Sequence, residues 1–148
     1  ARPKFNLLYH PEGFFEFHAV FPKKNSIEAF STLISISKNY HREPWICAVK
    51  RHKSDSSFLS FAEDGLSITI NIPLKNFKKS DKEKFSEEIL NAILEFNGKI
   101  YISKHSFLPK LAFEKMYPEY KKMLGLKAKY DADGLFYSDA TKRLLLDS

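Results

Sequence analysis

Glu16 and His18 stand two positions apart in the alternating stretch Gly13–Phe21, so a strand there points both side chains the same way. A carboxylate and an imidazole on one face can act together on the proton of a single hydroxyl group. The alternative is an exposed cross-strand charge pair. Three later stretches repeat the pattern and place Lys50, Ser67, Thr69, Tyr101 and Ser103 at matching polar positions, with Lys104 following where the last strand ends. The lysines either hold anionic charge or extend their stems along apolar surface with the ammonium in water. Ser and Thr alone would describe a solvated face. Yet Phe14, Val20, Ile46, Ala48 and Tyr101 are mixed among them. A half-apolar face with a few convergent polar groups suits a ligand pocket or a covering domain, and we read these residues as lining a substrate cavity.

The elements that must position these residues are legible in order. Phe15, Phe17, Ala19 and Phe21 form the apolar side of the first strand, and Pro22 ends it. Asn25 with Glu28 resembles a capping box, and Ile27, Phe30, Leu33 and Ile34 carry helical spacing toward Tyr40. After Pro44, Trp45–Arg51 alternates again, with Trp45, Cys47 and Val49 on the side of the core. Residues 52–65 are polar, Ser-rich and without period, which predicts a mobile loop. In Leu66–Ile72 the leucine and isoleucines face the core, and Ser67, Thr69 and Asn71 face away. Ser80 and Glu83 form a second capping box before a helix with Phe85, Ile89, Ala92, Ile93 and Phe96 on one side, and Gly98 is its expected C-cap. A strand is then expected over Gly98–His105, with Ile100 and Ile102 opposite Tyr101 and Ser103. Strand–helix–strand–strand–helix–strand predicts an α+β fold: a four-stranded antiparallel sheet with helices on one face, the ferredoxin-like split βαβ. A helical C-terminal tail follows, opened at Pro109 and resumed at Pro118 and Ser138.

Composition narrows the function classes. A chain of 148 residues predicts one domain, and 43% hydrophobic residues are enough for a packed core. The lone Cys47 rules out an internal disulfide framework and suits a reducing, cytoplasmic setting; its strand position predicts a core residue. No apolar run approaches the roughly 20 residues of a membrane-spanning helix, and no signal peptide is visible. The start, Ala1-Arg-Pro-Lys4, lacks an initiator Met, as expected of a trimmed chain, a tagged chain or a fragment. The net charge of +6 would suit an anionic partner, but Lys75, Lys78, Lys79, Lys82 and Lys84 interleave with Asp81 and Glu83 as on a solvated helix face. His10, His18, His41, His52 and His105 show no His-x-x-His or His-Glu-x-x-His spacing, so no metal site is expected. RNA-binding domains of this topology carry aromatics on their central strands. Here Ser67, Thr69 and Asn71 occupy one of those strands, so no nucleic-acid partner is expected.

Five segments in sequence resemble the C-terminal substrate (cap) region of FAD-linked oxidases of the vanillyl-alcohol-oxidase type, and within it the decaprenylphosphoryl-ribose, sugar-lactone and alditol oxidase branches. They are Gly13–Pro22, Ala48–Arg51, Ile70–Pro73, Gly98–Lys104, and Met116–Pro118 followed by Lys129–Asp131, Leu135-Phe136, Ser138-Asp139 and Lys142–Leu144. The resemblance implies that Lys104 contacts both the flavin pyrimidine edge and the substrate, and that Tyr101 lines the pocket beside the cofactor. It implies that Lys50, Ser67, Thr69 and Tyr101 bind substrate, and that Glu16 and His18 face its reacting hydroxyl. Glu16 is the carboxylate of alditol-oxidising relatives. Ser67 and Thr69 stand where the ribose-oxidising branch has asparagine and cysteine, and Asn71 replaces an aspartate. The implied reaction is FAD-dependent oxidation of a sugar-like or polyol hydroxyl to a carbonyl. FAD would be held mainly by an N-terminal domain that this chain lacks. Residues 1–148 are then expected to be one C-terminal cap domain, inactive alone and partnered by the FAD-binding domain of the same polypeptide. The implied location is cytoplasmic, including the inner membrane surface. The competing expectation is a stand-alone ferredoxin-like binding module, regulatory or nucleic-acid-binding.

Overall fold

The computed structural model describes residues 12–104 and 108–146. Its sheet is built from β1 (Phe14–Pro22), β2 (Ile46–His52), β3 (Gly65–Pro73) and β4 (Lys99–Ile100), in the order β2-β3-β1-β4 with every neighbouring pair antiparallel. Helices α1 (Ser26–Asn39) and α2 (Lys79–Glu95) pack against each other, and α1 also meets β1 and β3. This is the α+β, ferredoxin-like arrangement that the pattern of strands and helices predicts.

Alternation decides which residues meet the helices. Phe17, Ala19 and Phe21 from β1 and Ile68, Ile70 and Ile72 from β3 form the fully buried centre of the core, joined by Leu33, Phe85, Ile89 and Ile93 from the helices. Each of the large side chains among them contributes about 1.5–3 kcal/mol by leaving water. The helices leave the edge strand largely uncovered. Cys47 and Val49 share the helix-side face with Ile70 and Ile68 by register, yet Cys47 is exposed and Val49 is 55% exposed. The expectation that Cys47 is a core residue is therefore corrected.

Three local expectations also change. Asn25 does not cap α1; its amide donates to the Phe96 carbonyl at 2.9 Å and ties the start of α1 to the end of α2. The Ser80–Glu83 box is not used, because α2 opens earlier, after Lys78. The left-handed residue closing α2 is Asn97 (φ 55°), and Gly98 N–H reaches back to the Ile93 carbonyl at 2.7 Å. A Cβ on Gly98 would lie 2.5 Å from the Phe21 ring, so the close approach, not the dihedral, calls for glycine there.

The expected strand over Gly98–His105 is much shorter than its alternation suggests. β4 covers only Lys99–Ile100, Tyr101 N–H adds one further bond to the His18 carbonyl at 2.8 Å, and Ile102–Lys104 turn into a 3-10 helix. His105 lies outside the described residues. The outer edge of β4 is capped by side chains: Tyr117 Oη donates to the Ile100 carbonyl at 2.6 Å, and Ile100 N–H meets Met116 Sδ at 3.4 Å. Those residues close α3 (Lys110–Met116), which buries Ala112, Phe113 and Met116. The tail continues through α4 (Tyr120–Tyr130) and α5 (Asp139–Thr141), the latter capped by Ser138 Oγ. Among the described residues no helix is long and apolar enough to cross a membrane.

Candidate active site

Cross-strand register builds the site on the face away from α1 and α2. Glu16 of β1 lies opposite Asn71 of β3, His18 opposite Thr69, and Val20 opposite Ser67; β2 adds Ala48 beside Thr69 and Lys50 beside Ser67. Directly opposed residues of this kind have Cβ atoms about 5 Å apart, so their side chains interact. β4 and the turn after it bring Tyr101 and Lys104 to the same side.

The centre of this face is covered. His18 is 8% exposed and Ser67 fully buried. Phe61, from the loop between β2 and β3, packs edge-on to His18 at 4.8 Å between ring centroids and to His52 at 5.6 Å, and it meets Tyr101 at 5.1 Å. Beneath it, Ser67 Oγ lies 3.0 Å from His18 Nε2 and 2.8 Å from His52 Nε2. The loop is anchored at its end by Glu63 to Lys99 at 3.0 Å and by Asp64 to Arg51 at 2.5 Å.

Charge is concentrated at the rim. Lys104 Nζ pairs with Glu16 Oε1 at 3.0 Å; the lysine is half exposed and the glutamate 16% exposed. That buried oxygen has the ion pair but no well-aligned hydrogen bond, and Asn71 Oδ1 across the strands is likewise buried without a hydrogen-bond partner among the described residues. Burial pushes the His18 imidazole down from 6.5 to about 4, and Lys50, His52 and Lys104 act in the same direction against Glu16. His52 is also lowered, by burial and by the cations Lys50 and Arg51. Both rings are neutral at pH 7.

The sign of the His18 shift gives a stability prediction. The unfolded chain binds this proton below about 6.5 and the folded chain only below about 4, so stability falls as pH drops through that window. At 1.36 kcal/mol per pH unit the loss attributable to His18 reaches up to about 3 kcal/mol. Urea unfolding of the chain at several pH values should show this decline, and His18→Gln should flatten it. An equally steep decline in the variant would refute the assignment.

The structure brings together Glu16 with Lys104, and His18 with Ser67 and Tyr101, while Thr69 and Lys50 lie alongside through register. Ser103 is exposed in the turn. Sequence reasoning passed over His52, Phe61 and Asn71 as site residues. His52 was within reach, being two positions beyond Lys50 on the same strand face. Asn71 was visible on the open face, but its orphaned acceptor was not. Phe61 sits in a segment without period and carried no signal.

An α+β domain with helices on one side of a four-stranded antiparallel sheet is the form expected of the C-terminal domain of an FAD-linked oxidase, and sequence comparison establishes that class. The signature of D-arabinono-1,4-lactone oxidase matches residues 13–144, and the chain belongs to that family. It is 27% identical over 143 residues to decaprenylphosphoryl-beta-D-ribose oxidase of Mycolicibacterium smegmatis, a match covering 97% of this chain and 30% of that protein. The chain thus spans about 30% of the length of that curated relative.

Proposed function

We propose that this chain is the substrate-side part of an FAD-dependent oxidase that converts a sugar-like or polyol hydroxyl to a carbonyl. The observation that carries the reading is the Lys104–Glu16 pair at 3.0 Å beside the neutral His18, on a face rimmed by Tyr101. A half-exposed ammonium and a partly exposed phenol fit the pyrimidine edge of a flavin, so Lys104 and Tyr101 are the residues of this chain that would hold it. Bound FAD supplies the hydride acceptor. Lys104 places positive charge where negative charge develops, and its pairing with Glu16 fixes its position before reaction. Glu16 or His18 takes or positions the hydroxyl proton, with Lys50 and Thr69 on the substrate side and Ser67 buried behind His18. Glu16 Oε1 and Asn71 Oδ1 are neighbouring buried acceptors, and a polyhydroxylated ligand offers donors to both.

The flavin-binding domain of the same polypeptide is the partner this reading requires, and the chain alone is then inactive. Leu135, Phe136 and Tyr137 support it: three consecutive large side chains are 74%, 78% and 69% exposed, an apolar surface suited to burial against another domain. The test is an absorption spectrum of the full-length protein before and after adding candidate polyols and sugar derivatives. A flavin band that bleaches with one of them is expected. A colourless protein that binds no FAD would overturn the reading and favour a binding module of the same fold.

A further inference from the structure

We propose that Ser67 and His52 form a proton exit from His18, carrying the proton released by substrate oxidation to the edge of the sheet. The direction of flow rests on the oxidase reading; the existence of the wire rests on hydrogen bonding alone. Oxidation of an alcohol carbon to a carbonyl releases one hydride and one proton. FAD takes the hydride, and the proton is left to this chain.

Bulk water has little direct access to His18, whose small exposed edge is the part a substrate hydroxyl would meet. The ring is 8% exposed, with Phe61 packed edge-on at 4.8 Å and Tyr101 at 5.6 Å. The open route is through the sheet face. Ser67 Oγ touches both His18 Nε2, at 3.0 Å, and His52 Nε2, at 2.8 Å, and His52 is partly exposed at the end of edge strand β2. A hydroxyl has one hydrogen to give and lone pairs to receive. In the transferring state His18 Nε2–H donates to Ser67 Oγ, Ser67 donates to His52 Nε2, and His52 carries its own proton on Nδ1. When His18 Nδ1 accepts the substrate proton, the Nε2 proton moves to Ser67 Oγ and the Ser67 proton moves to His52 Nε2. The substrate O–H, His18 Nε2–H and Ser67 Oγ–H bonds break; His18 Nδ1–H, Ser67 Oγ–H and His52 Nε2–H bonds form. His52 then releases its Nδ1 proton to water.

Burial and the surrounding charges disfavour a resting cation on either ring. His18 faces Lys50 and His52 from β2 and Lys104 from the turn after β4, against Glu16 on its own strand; His52 faces Lys50 and Arg51. A proton held as extra charge on His52, the more exposed of the two rings, is therefore readily given up to water. Ser67 of β3 joins His18 of β1 and His52 of β2 through a single hydroxyl. Two imidazoles on one buried hydroxyl make a chain.

Two measurements test this. Nitrogen-15 NMR of the histidine side chains in this chain should show opposite neutral tautomers, His18 protonated on Nε2 and His52 on Nδ1. Both rings protonated on Nε2 would overturn the wire, whatever the protein oxidises. In the full-length flavin-loaded protein, His52→Gln keeps a hydrogen-bonding group near Ser67 but has no titratable nitrogen. It should slow flavin reduction by about tenfold or more, with added imidazole restoring the rate. Full-speed reduction in that variant, with an unchanged solvent isotope effect, would overturn the exit. A colourless wild-type protein would instead sink the oxidase reading and with it the direction of flow, while the tautomers still decide the wire.

Discussion

Replacing Lys104 by alanine in the full-length, flavin-bound protein should slow flavin reduction at least tenfold, which is about 1.4 kcal/mol of barrier. The reasoning starts from position. Lys104 ends a 3-10 turn that immediately follows β4, so its backbone is tied to the sheet through Tyr101 N–H on the His18 carbonyl and Lys104 N–H on the Tyr101 carbonyl, at 2.8 and 3.0 Å. Its ammonium is then held by Glu16 Oε1. A charge fixed in advance costs no reorganisation when negative charge develops beside it, and alanine removes it outright. Folding should suffer less. The lysine is half exposed, so the loss of its pair should cost on the order of 1 kcal/mol, the stranded Glu16 oxygen setting the size of the loss. Rapid-mixing measurement of flavin bleaching, alongside thermal unfolding of the same variant, separates the two effects. Near-normal reduction kinetics would sink the assignment of Lys104 to the cofactor.

The second large effect is structural. Gly65→Ala should destabilise the fold by about 3 kcal/mol, a large part of the 5–15 kcal/mol that holds a typical domain together. Gly65 opens β3 opposite Pro22, and a Cβ built there would sit 1.8 Å from the Phe21 carbonyl oxygen and 2.8 Å from its carbon. The obstruction is backbone of the central strand, with no flexible side chain to move aside. Relief requires opening the β1–β3 ladder at this end, where Lys23 N–H also bonds the Asp64 carbonyl at 3.1 Å and Arg51 donates to the Gly65 carbonyl at 3.0 Å. Those bonds anchor the loop that carries Phe61, so the covering of His18 should loosen with the strand pair. Denaturant unfolding measures the first consequence, and the His18 ring environment by NMR reports the second. Stability equal to the wild type would show that the approach is not as close as the geometry states.

Residue order alone makes legible the strands β1 and β3, the faces of α2 and the side of the sheet on which Glu16, His18, Ser67, Thr69 and Tyr101 emerge. These follow from local backbone geometry, where a period of two or of 3.6 is written directly into residue order. It also carried the family, because spaced motifs survive as linear strings. Tertiary structure decided the rest. Alternation ran on through Ser103, yet β4 stops at Ile100 and the chain coils into a 3-10 helix from Ile102, while Tyr117 and Met116, brought in by α3, take the outer hydrogen-bonding groups of Ile100. Cys47 alternates correctly into the helix side and is still exposed, because how far two helices reach across a sheet depends on how they cross it. The site shows the same division. Register alone could place His18 near Thr69 and Ser67, but the seating of Phe61 over the rings and the joining of His18 to His52 through one hydroxyl are contacts between distant residues. Those depend on where an aperiodic loop comes to rest, and only the folded chain specifies that.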